Sequence, residues 1–151
     1  MKKKLNISKL LGLFRLLDNA KADKLEIKER YALAKLLLTI HKRLSDYEEL
    51  EQETIKRLRP ADRDETEILM GELRAMTEEQ RIEAAREQKY AEAIRKEREY
   101  TAAVDECLIP ERLKETEVEF EQLPEGWLER LIDSNPDWKV GQMAAAMEFM
   151  E

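Results

Sequence analysis

Apolar residues recur three and four positions apart through residues 27–59, a stretch without Pro or Gly. They fall at Tyr31, Ala34, Leu37, Leu38, Leu44, Tyr47 and Leu58, and Leu33, Leu36, Ile40, Leu50 and Ile55 widen the stripe. That spacing predicts one amphipathic helix. At about 1.5 Å per residue it is roughly 50 Å long. A rod of that length needs a partner along it, either a second helix of the chain or another copy. Pro60 disfavours helical geometry in the residue before it, so the helix ends at Arg59. Residues 60–64 then form a turn, with Asp62 or Asp64 placed to cap the next helix.

A second helical stretch covers residues 65–104, with sparser apolar positions such as Leu69, Leu73, Met76, Ile82, Ile94 and Val104. Gly71 is one weak point, and Thr77-Glu-Glu-Gln80 matches a capping box that could mark a fresh start. The two stretches are expected to form a long antiparallel helical hairpin over residues 23–110. Before it, residues 1–22 hold a short leucine-rich helix capped by Asn6 or Ser8, docked on the hairpin. After it, in residues 111–151, Thr116-Glu-Val-Glu-Phe-Glu121 alternates polar and apolar, which is a half-buried strand that must pair with something. Short helices are expected over residues 127–132 and 141–150. The fold class is therefore mainly α.

Composition narrows the function classes. Charged residues make up 40% of the chain and Gly only 4 residues of 151, which favours long exposed helices over sheets with many turns. No apolar run is long enough for a membrane span. The opening Met1-Lys-Lys-Lys4 and the leucines after it mimic an export signal, but Arg15 interrupts them and no small-residue cleavage site follows. Cys107 is the single cysteine, which excludes an internal disulfide and fits a reducing compartment.

The net charge of −7 is unevenly spread. Residues 1–45 hold 12 Lys/Arg and 4 Asp/Glu, a net of +8, while residues 46–151 hold 15 and 30, a net of −15. Either these are solvated helix faces, or a basic head meets an acidic body within one chain or between copies. The N-terminal segment supplies a candidate basic patch of Lys2, Lys3, Lys4, Lys9 and Arg15. It lacks interleaved aromatics and a helix-turn-helix glycine, so nucleic acid is not the expected partner. Membrane binding by that helix is not expected either, since the core needs one of its faces.

No motif carries chemistry. His41 is the only histidine and sits inside the long helix. Cys107 has no neighbouring cysteine and reads as a small buried hydrophobe. The carboxylates are dispersed among Lys and Arg, no glycine-rich phosphate loop exists, and residues 62–67 lack calcium-loop spacing. Accordingly no catalytic, cofactor-binding or metal-binding residue is assigned, no cofactor is expected, and the protein is expected not to be an enzyme. The C-terminal stretch instead offers a candidate interaction surface of types enriched at interfaces: Trp127, Trp138, Met143, Met147, Phe149 and Met150.

Several segments resemble small phage-encoded helical proteins of unassigned function. They are Leu5-Asn-Ile-Ser-Lys-Leu-Leu11, Tyr31-Ala-Leu-Ala-Lys35, Leu44-Ser-Asp-Tyr-Glu-Glu-Leu50, Glu117-Val-Glu-Phe120 and Ala144-Ala-Ala-Met-Glu-Phe-Met150. The resemblance implies a bacteriophage origin and a non-enzymatic coiled-coil hairpin. The expectation is then a virion structural or assembly component that binds itself or other virion proteins, found in the host cytoplasm or the virion. The alternatives are an acidic helical inhibitor or regulator of a host or viral protein, or a nucleic-acid-binding accessory factor.

Overall fold

The computed structural model describes residues 1–150. It is mainly α, as the periodicity predicts, with seven helices and a two-stranded sheet among the described residues. The chain divides into two compact units, Met1–Glu48 with Glu111–Glu151, and Glu49–Pro110. The division thus falls once inside the long helix and once after Pro110.

The first unit is built on an antiparallel ladder between β1 (Lys2–Asn6) and β2 (Glu115–Glu119). Lys2 lies opposite Glu119, Lys4 opposite Glu117, and Lys3 opposite the fully buried Val118. The strand partner that β2 requires is therefore the lysine-rich N-terminus, which residue preferences alone did not mark as a strand. Basic head and acidic body meet here within one chain. Lys2 also reaches Glu117 at 3.7 Å, so Lys2, Lys3 and Lys4 are strand residues and two of them stand opposite acids.

Asn6 ends β1 and caps α1 (Ile7–Asp18), its side chain accepting from the Lys9 N–H at 2.8 Å. Leu10, Leu13 and Leu17 of α1 are buried. α2 (Ile27–Leu58) comes next and ends one residue before the predicted limit. Its buried seam is Glu29, Leu33, Leu36, Ile40, Leu44 and Tyr47, spaced four, three, four, four and three. Tyr31, Ala34 and Leu38, read from the sequence as part of the inner stripe, are exposed instead. The apolar band on α2 is wider than one packed face can cover, and the core took the flank carrying Glu29.

Two later helices complete this unit, α6 (Trp127–Ser134) and α7 (Val140–Met150). Phe120, just past β2, stacks on Phe149 of α7 with ring centres 5.2 Å apart. Trp127, Leu131, Trp138 and Ala146 are also buried. Arg112 donates to the Tyr47 hydroxyl at 2.7 Å, which ties the chain entering β2 to α2.

In the second unit, the expected single helix over residues 65–104 is three: α3 (Arg63–Arg74), α4 (Glu78–Ala84) and α5 (Gln88–Arg112). Gly71 does not break α3. The first break is at Thr77, where the capping box forms in full with Gln80. The second, over residues 85–87, contains only good helix formers. Tertiary packing overrides their propensity, because the turn puts Ala84 and Tyr90 on one cluster with Leu73. Tyr90 donates to Glu72 at 2.7 Å, and that bond to a carboxylate holds its hydroxyl proton, raising its pKa.

The antiparallel pairing is present here. Tyr100 donates to the Ile55 carbonyl at 2.8 Å, and Lys96 pairs with Asp62, whose pKa the ammonium lowers. Asp62 sits at the N-cap of α3, but its carboxylate goes to Lys96 and makes no cap bond. Arg63 pairs with Glu97 and lies over the Tyr100 ring at 4.5 Å. Its Nε is 3.2 Å from Glu67, close enough for attraction but out of line for a hydrogen bond. α5 runs through Pro110 for two more residues.

The seam assignment has a direct consequence for stability. Leu36→Ala and Ile40→Ala should each cost about 2–5 kcal/mol, whereas Leu38→Ala should stay within about 0.5 kcal/mol. Urea melts measure this, and equal losses at Ile40 and Leu38 would show that the seam runs elsewhere.

Candidate interaction surface

The first turn of α2 is held by a charge with no solvent. Glu29 is fully buried, and Arg130 of α6 grips its carboxylate with Nε at 2.8 and 3.0 Å and with Nη2. The Glu26 N–H donates to the same carboxylate at 2.9 Å, which satisfies a free donor at the helix start. Arg130 holds the Glu29 carboxyl below the usual glutamate value against the opposing effect of burial. Nη2 of Arg130 also donates to the Glu125 carbonyl at 2.8 Å. Gly126 makes room for this: its φ is +80°, and a Cβ there would lie 2.9 Å from Arg130 Nη1.

The link before α2 is tied down by the end of α6. Asn135 is buried, and its amide both donates to the Lys21 carbonyl and accepts from the Lys21 N–H, each at 2.8 Å. Ser134 accepts from the Lys24 N–H at 3.0 Å. Arg30 Nε donates back to the carbonyls of Ala22 and Leu25 at 3.0 and 3.1 Å. The start of α2 is fixed in position and in rotation.

That fixed rotation leaves Ile27 at 82% exposure, Tyr31 at 65% and Leu38 at 63%. With Ala34 they recur at gaps of four, three and four, a coiled-coil type row on the flank opposite the buried seam. Lys28, Lys35 and Lys42, seven residues apart, border it on one side. Lys35 lies 4.8 Å from the centre of the Tyr31 ring and 4.0 Å from Glu121. The sequence pattern merged Tyr31, Ala34 and Leu38 of this row with the core stripe and left Ile27 out.

The predicted site residues scatter. Trp127, Trp138 and Phe149 are core residues and leave the candidate interaction surface. Met143 and Met150 are half-buried, and Met147 is exposed. Lys9 and Arg15 are exposed on α1. A groove of about 620 Å³ between α1 and α7 has Arg15 and Trp138 in its wall. A second of about 240 Å³, sharing Gly12 and Ala145 with the first, has Lys9 and Phe149. Lys9 is ion-paired there with Glu148 at 3.5 Å. These grooves thus bring together one residue of each predicted set, at each of two places. His41 is exposed with its ring 5.8 Å from that of Phe14. Cys107 is exposed, not buried, because Leu108 takes the inward position beside it, and its Sγ lies 3.8 Å from Arg57 Nη2.

Among the described residues no group of three or more His, Cys, Asp and Glu side chains could hold a metal ion, and no helix is long and apolar enough to cross a membrane. The class defined by fold and surface is a mainly helical protein with an exposed basic and apolar helix flank. No family model, curated protein or solved structure matches the chain.

The Glu29–Arg130 pair predicts a pH dependence. A carboxyl held below its ordinary value of 4.5 contributes stability that is fully present above that value and is lost as the pH falls through the folded-state value. Glu29→Gln should therefore unfold at lower urea than the parent at pH 7, with the gap narrowing on acidification below the ordinary glutamate value. Equal midpoints at pH 7 would show that the pair contributes nothing.

Proposed function

We propose that this chain is a non-enzymatic protein-interaction module whose binding face is the outer flank of α2. The observation that supports this is the second apolar row, Ile27, Tyr31, Ala34 and Leu38, exposed on a helix whose opposite flank is already packed. Single exposed leucines need no explanation, but a row at seam spacing with a border of lysines is the pattern of a helix awaiting a partner helix. A solvated face would carry no such row. Virion structure or virion assembly is the narrower role we propose, and the resemblance of residues 5–11, 31–35 and 44–50 to phage helical proteins supports it.

A photo-crosslinking amino acid at Leu38, in the cell from which the chain comes, should give a discrete protein adduct. The same group at Glu106, on the exposed surface of α5, should give none. Mass spectrometry of purified particles tests the narrower role, which requires the chain or its adduct to be there. An equal smear of adducts from both positions, or none from Leu38, would overturn the assignment of this face.

A further inference from the structure

The occupant of the α2 flank can be narrowed by charge. Residues beside an apolar seam face the partner's flanking residues and select among partners by sign. Here they are Lys28, Lys35 and Lys42, and neither Lys28 nor Lys42 has an ion-pair partner among the described residues. The other side of the row carries Arg30. A second α2 laid against this one, in either direction, would set lysines against lysines or against Arg30, so a two-fold α2 pair is disfavoured. The fitting surface is acidic, with its own exposed apolar residues.

Two exposed isoleucines of the chain itself are flanked in this way. Ile68 of α3 is 64% exposed and Ile82 of α4 is 59% exposed. Each has acids three and four residues before it, Asp64 and Glu65 in one case, Glu78 and Glu79 in the other. Those spacings put the acids beside the isoleucine on one helix face. Asp64 is taken by Arg59, but Glu65, Glu78, Glu79 and Glu83 are exposed and have no ion-pair partner among the described residues. We propose that a second copy of this chain docks its α3–α4 face, through Ile68 and Ile82, on the Ile27–Tyr31–Leu38 flank of α2, with Glu65, Glu78 and Glu79 meeting Lys28, Lys35 and Lys42. The contact is heterologous: each copy uses two different surfaces, so it propagates head to tail. Both faces are short, so a single contact is weak and a row of copies gains from multivalency. This inference rests on the reading of the chain as an interaction module and names its partner.

Sedimentation of the intact chain over a range of concentrations tests it, at low salt and at roughly 0.5 M salt, where the screening length is only a few ångströms. Self-association is expected to grow with concentration and to weaken about tenfold or more with salt. Two variants separate the faces: Lys28→Gln with Lys35→Gln and Leu38→Ser, and Ile68→Ser with Ile82→Ser. All five positions are exposed in the monomer, and helical circular dichroism checks that each variant is folded. Each variant alone should be monomeric, and an equimolar mixture should form a dimer and stop there, because only one pair of intact faces remains. A monomeric parent at low salt and high concentration would overturn the proposal, as would two variants that fail to combine. A monomeric parent that binds anionic lipid vesicles through Lys28 and Lys35 would also overturn it. A Leu38 crosslink to a different protein, with no self-association, would sink the second copy while leaving the module reading in place.

Discussion

A carboxylate without solvent must keep its cation, and Glu29 is such a group. Removing Arg130 would leave the Glu29 charge buried and unpaired, so Arg130, itself half-buried, holds Glu29 in place. Glu29 is also the first member of the buried seam that continues through Leu33, Leu36, Ile40, Leu44 and Tyr47. Holding Glu29 inward therefore sets the rotation of α2 about its axis over these turns. The same constraint reaches α6 through Arg130, the turn before α6 through Gly126, and the link before α2 through Ser134 and Asn135. A buried ion pair adds little net stability, but here it selects which of two apolar flanks faces the core.

Where local signals act, the fold was legible in the sequence. The bounds of α2 follow from an unbroken 3.6-residue period and from Pro60. Asn6 and Thr77 cap helices because their side chains reach backbone N–H groups three residues on. The alternation at residues 116–120 gives β2. β1 was not legible, because Lys2, Lys3 and Lys4 have little intrinsic preference for a strand and their partner lies more than a hundred residues away. The phase of α2 was not legible either, since Leu37 and Leu38 read alike with Leu36 and Ile40 until a buried glutamate separates the flanks. That signal was present as an acid in line with leucines at spacing four, but on a highly charged helix it is indistinguishable from surface decoration. The tryptophans were misplaced for a related reason. Composition marks a residue as apolar without saying whether it covers a core or awaits a partner.

The charge asymmetry acts in two ways. Within the first unit it sets register, because Lys2 and Lys4 stand opposite Glu119 and Glu117, and a one-residue slip would carry Val118 out of the core. The exposed pairs contribute little energy on their own. Their effect is to penalise wrong pairings, in which two acidic or two basic strands would meet.

A second group of lysines lies where the charge is less dense, and of these only Lys35 has an acidic neighbour among the described residues, Glu121. Lys28, Lys35 and Lys42 sit on a helix whose rotation is fixed, next to an apolar row whose exposure results from that rotation. Charge supplies direction and apolar area supplies adhesion, and neither alone defines a contact. On α3 and on α4 two acids precede an exposed isoleucine at the same spacings. The repeat survives the break at Thr77, so it does not depend on a continuous helix. The chain holds more apolar helix surface than its own two cores absorb, and the surplus is bordered by opposite charges on different units.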